Sequence, residues 1–172
     1  MVAVLQPEGS LKVANLGDSG VRIIRGGAVV FATEPLQHEF NCPFQLGHER
    51  EDSPSDAGMY SVRVEEGDTV VLGSDGLFDN LFDRDIGAVV GVFAGSSIRA
   101  AQHTATALAT LASKHANDED YASPFTMEAL EQGLDLPWWR KIAGQKLRGG
   151  KLDDITVVVA HVVRQNVPHA LA

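Results

Sequence analysis

Cysteine is nearly absent from the chain: Cys42 is the single one in 172 residues. That excludes an internal disulfide and a cysteine-based zinc site, and it suits a reducing intracellular compartment. Basic residues are in deficit, with 14 Lys and Arg against 23 Asp and Glu and a formal net charge of -9. Nucleic acid and anionic membrane surfaces are held by clustered Lys and Arg, so neither is the expected partner. No apolar run is long enough to span a bilayer. The apolar opening Met1 to Leu5 lacks the basic flank and the cleavage pattern of a signal sequence, and it reads as a strand. A chain that opens directly into a strand implies that a complete domain has further sequence upstream.

What is present is an ordinary core-forming composition, 44% hydrophobic and 22% charged, consistent with one domain over residues 1–172. Short apolar runs at Val2 to Leu5, Leu11 to Leu16, Val21 to Ile24 and Ala28 to Phe31 are separated by Gly, Pro and Asp turns, the pattern of antiparallel hairpins. Glu34 to Met59 has no period and reads as a long surface loop. Another hairpin follows at Tyr60 to Val64 and Thr69 to Leu72. Helices are predicted over Asp83 to Phe93 and from a Ser96-Ser97 cap to about His115. On the second of these, Ile98, Ala101, Ala105, Leu108, Ala109 and Ala112 share a face suited to close packing on a sheet. Asn117 to Gln145 is irregular, with short helices expected at Thr126 to Gln132 and from Trp138. Ile155 to Val163, the most apolar β-branched run, predicts a buried central strand. Strands, then helices, then a last strand indicate an α+β fold.

Three acidic turns adjoin strong strands: Asp18 in Asn15-Leu16-Gly17-Asp18-Ser19-Gly20, Asp75 in Gly73-Ser74-Asp75-Gly76-Leu77-Phe78-Asp79, and Asp153 in Gly150-Lys151-Leu152-Asp153-Asp154-Ile155-Thr156. A carboxylate at a strand end sits on a rigid element yet faces an open rim. Several together offer the hard oxygen donors that Mg²⁺ and Mn²⁺ prefer. Glycine beside an aspartate lets another backbone, water or metal come close. Each turn alone is a common composition, and the bland reading of each is a solvated turn.

Taken together and in this order, the motifs resemble the type 2C metal-dependent protein phosphatases, over nearly the whole chain from Val2 to Val163. The resemblance implies a four-layer α-β-β-α sandwich, two antiparallel sheets flanked by helices, with its N-terminal part missing here. It implies hydrolysis of phosphoserine and phosphothreonine in proteins by water activated between two or more Mn²⁺ or Mg²⁺ ions. Matched residue by residue, Asp75 and Asp153 would be catalytic ligands of the binuclear centre, Asp18 would reach an additional metal site, and Asp79 would be a supporting carboxylate. Asp154 stands where the family often has Asn, and would support the neighbouring ligand. The family's upstream Asp-Gly-x-Gly-Gly segment, whose aspartate bridges the metals, is not in this sequence. The expectation is therefore weak metal binding and an incomplete, weakly active or inactive site, with phosphorylated proteins as the partners of the parent enzyme.

Other readings remain open at this point. Gly17-Asp18-Ser19-Gly20 also resembles the nucleophile turn of trypsin-like proteases, but all six histidines follow Ser19. A catalytically dead phosphatase-like binding module is the second alternative. Arg148 and Lys151 are candidates for the substrate phosphate, or else belong to a solvated turn. His38 reads as a loop hydrogen-bonding residue, His103 and His115 as surface residues, His48 as a residue near substrate if its loop folds over the rim, and Trp138 and Trp139 as packing or docking aromatics. Features of the His38 to Leu46 and Arg148 to Lys151 stretches resemble organelle-associated members. An intracellular setting, mitochondrial or plastid, is therefore implied.

Overall fold

A computed structural model describes residues 1–47, 52–93, 95, 97–134 and 147–164. The expectations for His48, Ser96, Trp138 and Trp139 lie outside the described residues. In chain order the strands are β1 (Val2–Leu5), β2 (Ser10–Asn15), β3 (Gly20–Arg25), β4 (Ala28–Ala32), β5 (Gln37–Glu39), β6 (Cys42–Pro43), β7 (Gly58–Arg63), β8 (Thr69–Gly73) and β9 (Val157–His161). The helices are α1 (Asp75–Phe78), α2 (Asp83–Val92), α3 (Ile98–Ala116) and α4 (Pro124–Glu131). The order β1-β2-β7 makes one antiparallel sheet and β4-β3-β8-β9 another.

The residue pattern explains which strand lies where. In β2, Leu11, Val13 and Asn15 are buried while Lys12 faces out, the alternation of a sheet covered on one face. β3 and β8 carry buried apolar residues on both faces, because these strands are covered on both sides. Val21, Ile23 and Val70 meet Leu11 and Val13 between the sheets. Ile24 and Val71 meet Leu77, Leu81, Ile86, Val90, Leu108 and Ala112 on the helical side. The two sheets and a helical layer on the four-stranded sheet are as the sequence predicts. Among the described residues no helix covers the other face of the three-stranded sheet, where Lys12, Met59, Ser61 and Arg63 are exposed.

Five local expectations are corrected. β7 and β8 do not form the expected hairpin, because β7 pairs with β2 in one sheet and β8 with β3 and β9 in the other. β9 is an edge strand: it pairs with β8 alone among the described residues, and Val158 is 54% exposed. Its β-branched composition reports affinity for a sheet and not position within it. The 34–59 stretch is not structureless, since it holds the β5–β6 hairpin and a 3₁₀ turn at Pro54–Asp56. Helix α3, capped by Ser97, buries Thr104, Leu108, Ala112 and Ala116, while Ile98 at its first turn is 88% exposed. A strict four-residue spacing carries the contact, and the Thr104 hydroxyl is satisfied by donating to the Ala100 carbonyl at 2.9 Å. His115 is half-buried: its Nδ1 lies 3.1 Å from the Asn80 carbonyl and its ring stacks on Tyr121.

Candidate active site

The antiparallel register brings the three acidic turns to one end of the four-stranded sheet. Gly20 of β3 lies opposite Gly73 of β8, which lies opposite Val157 of β9. Asp18, Asp75 and Asp153 sit just beyond these partners in the chain. Ser74 stitches the β8 and β9 ends together. Its N–H donates to the Thr156 carbonyl at 3.1 Å, its hydroxyl donates to the Asp154 carbonyl at 2.7 Å, and it accepts from the Thr156 N–H at 3.0 Å. Gly76 permits this contact, since a Cβ there would lie 2.7 Å from the Asp154 carbonyl oxygen. Gly150 likewise packs directly on the backbone of His115 and Ala116, with no space for a side chain.

At the centre of this end is Lys151. Its Nζ donates to Asp75 Oδ2 at 2.9 Å and to Asp79 Oδ2 at 2.8 Å, and Asp153 Oδ2 lies 3.4 Å away. The side chain is only 17% exposed, and the ammonium lies 5.2 Å from the Phe125 ring centroid. Asn80, fully buried, fixes the residue from below. It accepts the Lys151 N–H at 2.9 Å, donates to the Lys151 carbonyl at 2.8 Å and also donates to the Gly76 carbonyl at 3.0 Å. Asp18 and Asp79 also line a cavity of about 230 Å³ with Ser19, Arg22, Pro124 and Glu128.

The electrostatics follow from burial and crowding. Burial pushes the Asp79 carboxyl up to about 6; the Lys151 ammonium opposes this, and Asp75 and Asp18 add to it. Asp18 is also raised, first by burial and then by repulsion from Asp75. Asp153 is held below the usual carboxylate range by the Asp154 N–H and, against some burial, by Lys151. Burial alone would lower the lysine, but hydrogen bonds to Asp79 and Asp75 outweigh it and hold the ammonium charged.

Asp75, Asp79 and Asp153 therefore converge on one point, and Asp18 is close enough to feel Asp75 and Asp153. Lys151 is an integral part of the cluster and not a solvated turn residue. Arg148 is exposed on the adjacent turn and, among the described residues, forms no ion pair with these carboxylates. His38 is where a loop hydrogen-bonding residue should be, 2.9 Å from Asp52 and stacked on Phe44. Among the described residues no histidine lines the cavity that contains Ser19, so none of them stands there as the base of a protease triad. Asn80 was not foreseen, although an amide between Asp79 and Leu81 in an otherwise apolar run is a visible signal for a buried polar clamp.

The donor set fits a hard divalent cation in kind. It is composed of carboxylate oxygens, and three of them already surround one cationic group. Their spacing is set by that group. Among the described residues no three acidic, imidazole or thiol side chains close around a common point tightly enough to enclose an ion. Oxygens at 2.8 to 3.4 Å from an ammonium nitrogen stand farther out than the ~2.0–2.1 Å of a Mg²⁺ ligand.

The chain belongs to the type 2C protein phosphatase family. It is 44% identical over 169 residues to a probable protein phosphatase 2C 26 of Arabidopsis thaliana, an alignment covering 95% of this chain and 53% of that protein. To the human protein phosphatase PTC7 homolog it is 39% identical over 160 residues, 88% of this chain and 49% of that protein. Among solved structures, the photosystem II phosphatase PBCP superposes with a TM-score of 0.84 at 45% identity, covering 93% of this chain and 62% of that one. The serine/threonine phosphatase PstP of Mycobacterium tuberculosis, at 19% identity and a TM-score of 0.55, shares the fold. No family model matches. The chain spans about half the length of the curated relatives it matches.

Proposed function

We propose that this chain carries part of the active site of a metal-dependent phosphatase acting on phosphoserine and phosphothreonine in proteins. The observation that carries the reading is the convergence of Asp75, Asp79 and Asp153 on a single cation at the end of a sheet. Asp75 and Asp153 would hold Mn²⁺ or Mg²⁺, with Asp79 supporting them and Asp18 reaching an additional ion. When bound, such ions supply an activated water and screen the charge of the phosphoryl oxygens. The chain's own residues do the rest. Ser74 and Asn80 set the positions of the carboxylates, and Arg148 on the rim is a cation available to a substrate phosphate.

The 45% identity to a photosystem II phosphatase supports phosphoproteins of an organelle, the plastid in particular, as the substrate class. The second reading is a phosphatase-like binding module without turnover. It is favoured by Lys151, whose ammonium sits among the carboxylates where a metal would stand.

The test is Mn²⁺-dependent hydrolysis of a phosphothreonine peptide by this chain, beside Asp75→Asn and Asp153→Asn, with Mn²⁺ binding measured on the same samples. Binding that depends on both aspartates, with weak turnover or none, is the expected result. Turnover unaffected by either substitution, or Mn²⁺ binding indifferent to both, would overturn the assignment.

A further inference from the structure

Lys151 is held too well to be incidental. Its backbone is gripped at both N–H and carbonyl by a buried asparagine, the preceding Gly150 is jammed against the end of α3, and its ammonium touches three carboxylates of one cluster. A divalent ion bound by Asp75 and Asp153 would have to draw together oxygens that now stand around this nitrogen. A single and a double positive charge a few ångströms apart repel, so a divalent ion drawn in by Asp75 and Asp153 favours moving the ammonium away. The lysine stem has four flexible carbons and can carry the ammonium out to the rim without moving the clamped backbone.

We propose that Lys151 is a tethered counter-ion that fills the carboxylate cluster when metal is absent and is expelled when a divalent cation binds, so that it sets the metal concentration at which the site fills. This rests on the reading that Asp75 and Asp153 hold metal. The lysine-in state competes by mass action: the apparent dissociation constant rises by the inverse of the fraction of molecules with the lysine out. It also protects the cluster, which would otherwise hold mutually repelling carboxylates in the metal-free protein.

The test is calorimetric titration of Mn²⁺ into this chain and into Lys151→Met, Lys151→Gln and Lys151→Arg, with circular dichroism confirming the fold of each in chelator. The two neutral variants are expected to bind Mn²⁺ about tenfold more tightly or better, with Lys151→Arg near the wild type or weaker. Neutral variants that bind no more tightly than the wild type, while the wild type binds, overturn the proposal and leave the metal reading standing. Absence of Mn²⁺ binding in all four overturns both. A second measurement needs no substitution. The Lys151 Nζ resonance of the wild type, shielded in chelator, should move to the position of a solvated lysine as Mg²⁺ is added. A resonance that stays in place while Mg²⁺ binds also overturns the proposal.

Discussion

The two ends of the four-stranded sheet are built on opposite electrostatic plans. At one end, Asp68 has a fully buried side chain and Arg25 answers it with two guanidinium hydrogen bonds of 2.8 Å, while the Glu65 N–H adds a third at 2.8 Å. The Arg25 guanidinium holds this carboxyl below its usual range. At the other end, Asp75, Asp79 and Asp153 share the ammonium of Lys151 with Asp18 close by, and the most buried of the carboxyls is pushed up. A balanced buried charge is an arrangement that holds a fold together. An excess of one sign in a buried cluster works against the fold, which makes that end the candidate for chemistry.

That contrast can be broken from either end. The largest effect is expected from Asn80→Ala, which leaves the Lys151 N–H and carbonyl unpaired in a buried setting and should cost about 2–3 kcal/mol in urea unfolding. Next is Asp68→Asn, which loses the fork with Arg25 and should cost about 2 kcal/mol by the same measurement. Asp79→Asn should act with the opposite sign. A carboxyl raised to about 6 from an ordinary 3.8 binds its proton more tightly folded than unfolded, so its stabilising contribution is complete at low pH and is lost as pH rises through about 6. In chelator the variant should match the wild type near pH 4 and exceed it by about 1 kcal/mol at pH 7. A pH series of unfolding curves in which the gap does not open over that range would contradict the burial assigned to Asp79. The smallest effect is expected from Glu65→Gln: the Arg25–Glu65 contact is exposed on both sides, and removing it should leave the midpoint unchanged.

Much of this was legible in the sequence because it lay in local pattern. The alternation of β2, the Ser97 cap and the acidic turns at strand ends all follow from spacing and composition. Ile98 misled because helical spacing admits two neighbouring faces, and the choice of face is made by the sheet beneath. The edge position of β9 depends on which strands are neighbours in space, which no run of valines records. The pairing of Asn80 with Lys151 was hidden for the same reason, although Lys151 itself stands out in its turn as a candidate for the substrate phosphate. Their meeting joins residues 71 positions apart, and neither has a periodic signal.

Strands β3 and β8 carry hydrogen bonds along both edges and apolar contacts on both faces. Their central amides, such as those of Ile23 and Val71, should be the last to exchange with deuterium, opening only when the whole domain opens. Both electrostatic ends are attached to these same two strands. A weakening at either end should therefore raise the exchange rate at the middle, so that a probe at Ile23 or Val71 would register injury to the carboxylate cluster and to the Arg25–Asp68 fork alike.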